Sequence, residues 1–133
     1  MANALYAKGR ESFLKGEISW SADNIKTVLV DTATYSVDLT NHQFLSDIPA
    51  GERVATSANL TAKTTTAGTA DAADVTFSSV TGDQSEALVV YQDSGAEGTS
   101  RLIAYIDTAS GLPVTPNGGD ISVQWDAAGI FTL

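Results

Sequence analysis

Few side chains in this sequence could do chemistry. There is one histidine, His42, and no cysteine, so a Ser-His-Asp nucleophile would have to be built on His42. That histidine lies between Asn41 and Gln43, and no serine sits in a G-x-S-x-G elbow. A three-histidine site or a two-histidine, one-carboxylate metal site is ruled out by the count. Calcium needs only oxygen ligands, and the runs Asp71 to Asp74 and Asn117 to Asp120 supply carboxylates. Neither run has EF-hand spacing, so both read first as solvated turns. Carboxylate pairs that cleave glycosidic bonds work in clefts lined with aromatics, whereas the aromatic residues here are scattered along the chain. There is no Walker loop and no G-x-G-x-x-G; Gly111, Gly118 and Gly119 read as turn residues. The expectation is a protein that is not an enzyme and that has no cofactor and no metal.

The elements that would position any site come from a chain of 133 residues, which suits one domain spanning 1–133. Net charge is −9, and it is unevenly placed. Residues 1–26 carry Lys8, Arg10, Lys15 and Lys26 against Glu11, Glu17 and Asp23, for a net of +1, which leaves −10 on residues 27–133. An acidic body repels phosphate backbones, so no nucleic-acid partner is expected. Without an apolar h-region or an 18-residue apolar run, neither secretion nor membrane insertion is expected, and synthesis in a cytoplasm is. The near-neutral leading segment is the part suited to dock on a partner while the acidic remainder faces solvent.

The conspicuous stretch is Ser85 to Asp107. Two apolar runs, each apolar on both parities, flank a loop of Gly, Ser and acidic residues. That pattern predicts a β-hairpin covered on both faces at the centre of a sheet. Ahead of it, residues 1–16 predict an amphipathic helix from Ala4 to Lys15, with Asn3 as N-cap, Gly16 as stop, and a stripe of Ala2, Leu5, Tyr6, Gly9 and Phe13. A glycine at position 9 inside a helix implies close approach by another backbone. Such a short helix needs a surface, either the sheet or a partner. Removing residues 1–16 is expected to leave a folded β-domain.

Further strands are predicted at Ile25 to Asp31 and, by alternation, at Thr34 to Leu39, with Ile18 to Trp20 a short strand or a connection. Thr40 to Val54 reads as a long connection with a helical turn around Phe44 to Ile48. The Thr- and Ala-rich stretches that follow, 55–66, 69–77 and 78–82, offer Leu60, Ala62, Val75 and Phe77 as inward residues and read as edge strands or as strands under a covering element. A Pro- and Gly-rich bend spans Ala109 to Gly119; Ile121, Val123 and Trp125 then alternate, and Ile130 to Leu133 closes the chain. Seven or eight short strands argue for a mainly β fold, an antiparallel β-sandwich or jelly roll with a leading helix.

Across most of its length the chain resembles small virion proteins of tailed bacteriophages. The resemblance runs through MANALYAKGRESFLKGEISW, IKTVLVDTATYSVDL, HQFLSDIPAGERVATSANLT and SRLIAYIDTASGLPVTPNGGDISVQWD. It implies a capsid cement or decoration protein on the outside of the head, bound to the major capsid protein and homo-oligomeric on the particle, with no catalytic residues. A tail or head-to-tail connector protein is the alternative within that group. A small carbohydrate- or calcium-binding β-module is the alternative outside it, and that reading requires aromatics grouped on one face. The expected partner contacts are Leu5, Tyr6 and Phe13 on the helix, or Phe44, Leu45 and Ile48 on the long connection; packing within the chain is the competing account of both sets.

Overall fold

In the computed structural model, which describes residues 4–133, the two apolar runs of the hairpin stretch are strands of one five-stranded antiparallel sheet. Its strands are β1 (Ala4–Leu5), β2 (Ile25–Val30), β3 (Arg53–Thr56), β6 (Ala87–Gln92) and β7 (Leu102–Ile106), in the spatial order β1-β7-β6-β2-β3. The hairpin strand β6 is the centre, and it and β7 are buried almost throughout. Two ribbons complete the strands: β4 (Thr69–Ala70) with β9 (Phe131–Thr132), and β5 (Val75–Phe77) with β8 (Ile121–Val123).

Apolar residues on both parities fill both sides of the large sheet. On one side Ile25, Leu29, Leu88, Val90 and Ile103 share a core with Phe77, Val123, Trp20, Trp125 and Ile130, so both ribbons contribute to that side. On the other, Val28, Val30, Val89 and Leu102 pack with Tyr6, Tyr35, Leu45 and Ile48. Each large side chain removed from water in this way contributes about 1.5–3 kcal/mol. The long connection forms the cover on the second side, and it is held there by backbone bonds: Leu45 N–H donates to Ser100 O (2.8 Å), Ser46 N–H to Glu97 O (3.0 Å) and Leu102 N–H to Gln43 O (2.8 Å).

The leading segment departs from expectation. The helix α1 runs Ala7–Leu14 instead of starting at Ala4, because Ala4 and Leu5 pair with Tyr105 and Ala104 of β7. Tyr6 is extended and fully buried, and its N–H donates to Ile103 O at 3.0 Å. Leu5 and Tyr6 are therefore off the helix, and the expected N-cap Asn3 and stripe residue Ala2 lie outside the described residues. The buried face of the helix is Gly9 and Ser12. Gly9 does meet a backbone: a Cβ there would stand 2.7 Å from Leu102 O and 3.1 Å from Ile103 Cα. This is where β7 carries an extra residue, Ile103, between the pairs Val90–Ala104 and Tyr91–Leu102, and the bulge pushes its backbone up under the helix. The helix ends at Gly16 in a Schellman turn, with Glu17 N–H donating to Ser12 O (2.9 Å), Gly16 N–H to Phe13 O (3.1 Å), and Gly16 at φ +72°. Residues 4–16 thus hold an edge strand and a core tyrosine, which argues against the expectation that residues 1–16 can be removed without loss of the fold.

Other corrections are local. Thr34 to Leu39 alternates but is no strand: Asp31 O takes the Tyr35 N–H (2.9 Å), and the Asp38 carboxylate takes the Thr40 and Asn41 amides (both 3.0 Å), which turns the chain. Of the two readings of Ile18 to Trp20, the connection is the one found, and the long connection ends at Glu52 because Arg53–Thr56 pairs with β2. Ala62 is exposed at φ 53°, not inward. The 78–82 stretch is no strand; Val80 is buried and exchanges backbone bonds with the Gly118 and Gly119 turn.

Candidate docking surface

Three aromatics far apart in sequence come together beside α1. Phe13 projects from the last turn of the helix, Trp20 lies on the turn after it, and Phe131 is on β9. The Phe131 ring lies 6.1 Å from that of Phe13, tilted by 50°, and 5.3 Å from that of Trp20, edge-on at 85°. Trp20 is fixed by packing and by its indole N–H, which donates to Asp71 O at 3.4 Å. With Thr65, Gly68, Thr69, Ala70 and Leu133 these rings line a cavity of about 120 Å³ that opens to solvent. The two most exposed large apolar side chains among the described residues are Leu133 (61% exposed), which is part of this lining, and Leu14 (89%), which follows Phe13 on the helix. An open, apolar, aromatic-walled pocket with a water-exposed leucine in its lining suits the burial of an apolar group from a partner.

The surface is poorly made for sugars. Its polar side chains are two threonines, and the Thr69 hydroxyl already bonds that of Thr132 at 3.0 Å. A glycan would find rings to stack on and few partners for its hydroxyls.

The sequence-predicted contact residues divide. Phe13 is half-buried and walls this pocket, and Leu5 is half-buried beside Ile106, Ile130 and Phe131 in an adjoining hollow. Tyr6 and Ile48 are fully buried and Leu45 nearly so, all three within the second core, where they offer no side chain to a partner. Phe44 is half-buried with the Arg101 guanidinium 5.9 Å above its ring. Trp20 reads from the sequence as a core or an interface residue; Phe131, Leu14 and Leu133 are not expected at a contact, because no local pattern joins position 20 to position 131.

His42 has a structural partner. Its Nδ1 faces the Tyr35 hydroxyl at 2.9 Å, which in turn meets the Tyr6 hydroxyl at 2.9 Å, and the Asp38 amide points at the same nitrogen from 3.4 Å. With Nδ1 as acceptor, the neutral ring's proton lies on Nε2. The chain tyrosine, tyrosine, histidine ends inside the core and contains no serine nucleophile. Burial pushes the Tyr6 phenol far above its ordinary value and Tyr35 up to about 12. Asp47 is held below the usual carboxylate range despite partial burial, because it accepts the Gln43 and Phe44 amides at 2.7 and 2.9 Å.

The two runs considered for calcium are spent on backbone. Asp71 and Asp74 accept the Ala72 and Trp125 amides (2.9 and 3.1 Å), and Asn117 and Asp120 those of Gly119 and Ser79 (3.0 and 2.9 Å). Among the described residues no group of three or more His, Asp or Glu side chains gathers as a metal site, and no helix is long and apolar enough to cross a membrane. No protein-family model matches the chain, and no curated protein matches it in sequence.

Proposed function

We propose that this chain is a non-enzymatic structural protein of a tailed-phage virion, a cement or decoration protein that binds the major capsid protein lattice from outside, as an oligomer on the particle. The observation that carries the reading is the apolar pocket of Phe13, Trp20 and Phe131 with Leu133 exposed in its lining and Leu14 exposed on the adjoining helix, set beside the near-neutral leading segment of an otherwise acidic chain. The sequence resemblance to small virion proteins points the same way. A protein that binds the assembled lattice and not the free subunit stabilises the lattice by mass action. Such a protein needs a rigid body, solubility before assembly and a restricted apolar contact. The acidic surface serves the second need. We take the five-stranded sheet and the two ribbons, which share one core, as a sandwich-like body that serves the first.

The test is to add the full chain to undecorated heads and count and locate bound copies by electron microscopy. Copies spread over the head surface, lost in a Leu14→Ser variant that keeps its fold, are the expected result. Copies at a single vertex or on the tail would favour the connector or tail reading and overturn this one.

A further inference from the structure

The helix that forms one wall of the pocket also carries the one cation side chain, Arg10, that pairs with neither a carboxylate nor, like Lys63, a distant carbonyl among the described residues. Arg10, Phe13 and Leu14 are neighbours on its surface, three and four residues apart. The Arg10 side chain reaches only the Leu5 carbonyl, at 3.3 Å, and pairs with no carboxylate among the described residues. Lys8 and Lys15 converge on a single acid, Glu11, at 3.3 and 3.6 Å. Elsewhere the cations are tied down: Lys26 to Asp93 (3.0 Å), Arg53 to Glu97 (2.7 Å), Arg101 to Glu17 (3.2 Å), and Lys63 to the Asp23 carbonyl (2.5 Å). In a molecule of net charge −9, Arg10 is a cation without a carboxylate partner one helical turn from Phe13, a wall of the open apolar cavity, while Lys8 and Lys15 lie on another side of the helix with Glu11.

We propose that the pocket receives one apolar side chain from an acidic segment of a partner protein, with Arg10 facing the partner's carboxylates. The apolar side chain supplies most of the affinity by leaving water against Phe13, Trp20 and Phe131. The charges supply selection: an acidic segment is repelled by most of this protein's surface and attracted at the helix, so it is guided to one place. This inference rests on the docking reading above and specifies the chemistry of the partner.

The experiment uses the isotope-labelled full chain and two capped pentapeptides, one with leucine flanked by two glutamates on each side, the other with lysines in place of the glutamates. The Trp20 indole N–H resonance is followed, with Trp125 as internal reference. The glutamate peptide should shift Trp20 saturably, about fivefold or more tighter than the lysine peptide. Arg10→Glu, an exposed substitution, should remove the preference, and so should high salt. Equal affinities, or no movement of Trp20 with either peptide at about 10 mM, overturn the proposal. So does a concentration-dependent dimer that Leu14→Ser abolishes, since the occupant would then be a second copy. Arg10→Glu added to undecorated heads separates the two claims: head binding that is undiminished by this variant leaves the cement reading standing and removes the acidic partner, whereas absence of head binding by the unsubstituted chain removes the cement reading and leaves the peptide result to stand alone.

Discussion

At the scale of single residues, Gly9 is the position where substitution and intuition diverge. Alanine is the better helix former by about 1 kcal/mol, so on propensity alone Gly9→Ala should stabilise. The added Cβ, however, would lie 2.7 Å from the Leu102 carbonyl oxygen, part of a backbone held in the sheet, which has no rotamer by which to retreat. Overpacking of this kind costs about 1–3 kcal/mol, so net destabilisation is expected, read as a lower urea midpoint; a raised midpoint would show that the helix can lift off the bulge. The two linked tyrosines differ in a similar way. Tyr6→Phe leaves the Tyr35 hydroxyl bonded to His42, whereas Tyr35→Phe leaves the buried Tyr6 hydroxyl without its one partner among the described residues. An orphaned buried hydroxyl costs about 1–3 kcal/mol, so Tyr35→Phe should be the more destabilising of the pair in thermal unfolding. Burial also pushes Tyr35 and Tyr91 up to about 12 from an unfolded value near 10. The folded chain then holds protons that the unfolded chain has released, and stability present in full below pH of about 10 falls as pH rises toward 12. Denaturant midpoints measured across that window, alongside phenolate absorbance, would show it; a flat profile would mean these phenols titrate alike in both states.

At the scale of elements, β1 and α1 act as one unit with β7. Truncation of residues 1–16 removes the β1 ladder, the Tyr6 side chain and the helix that lies across the bulge. The truncated chain should lose cooperative unfolding, while Leu14→Ser, at a site 89% exposed, should melt within about 0.5 kcal/mol of the unsubstituted chain. A well-folded truncation product would return the helix to the role of a detachable arm. What the sequence made legible here follows from physics of short range. The Ser85 to Asp107 hairpin was readable because burial on both faces writes apolar residues on both parities, and the Gly16 stop because a Schellman turn calls for φ > 0. The start of the helix was misread because the 3.6-residue stripe through Leu5 and Tyr6 also satisfies a short edge strand followed by a buried extended residue. Thr34 to Leu39 alternated because Tyr35, Val37 and Leu39 all reach the second core from an irregular loop, a period without a ladder. The pocket was least legible of all: its aromatic walls come from positions 13, 20 and 131, joined only when β9 pairs with β4.

At the scale of the whole molecule, charge is placed so that the fold bears repulsion and the loops bear attraction. The excess of acids over residues 27–133 leaves the body with self-repulsion that opposes compactness. Against this stand three cross-chain pairs near the hairpin tip and the start of β2: Lys26 with Asp93, Arg53 with Glu97, and Arg101 with Glu17. Surface pairs contribute about 0–1 kcal/mol each, these are partly buried, and salt weakens them, but salt also screens repulsion among the other acids. Around 0.15 M the screening length is about 8 Å, longer than the pair distances and shorter than the spread of acids over the body, so moderate salt removes more repulsion than attraction. The melting temperature should therefore rise from low salt to about 0.5 M sodium chloride, while the affinity for an acidic partner segment at the Arg10 helix falls over the same range. A melting temperature that instead drops with salt would mean that the three pairs outweigh the body's repulsion. In that case neutralising Glu97 or Asp93 should reproduce the loss at low salt, which locates the stabilising charge at the hairpin tip.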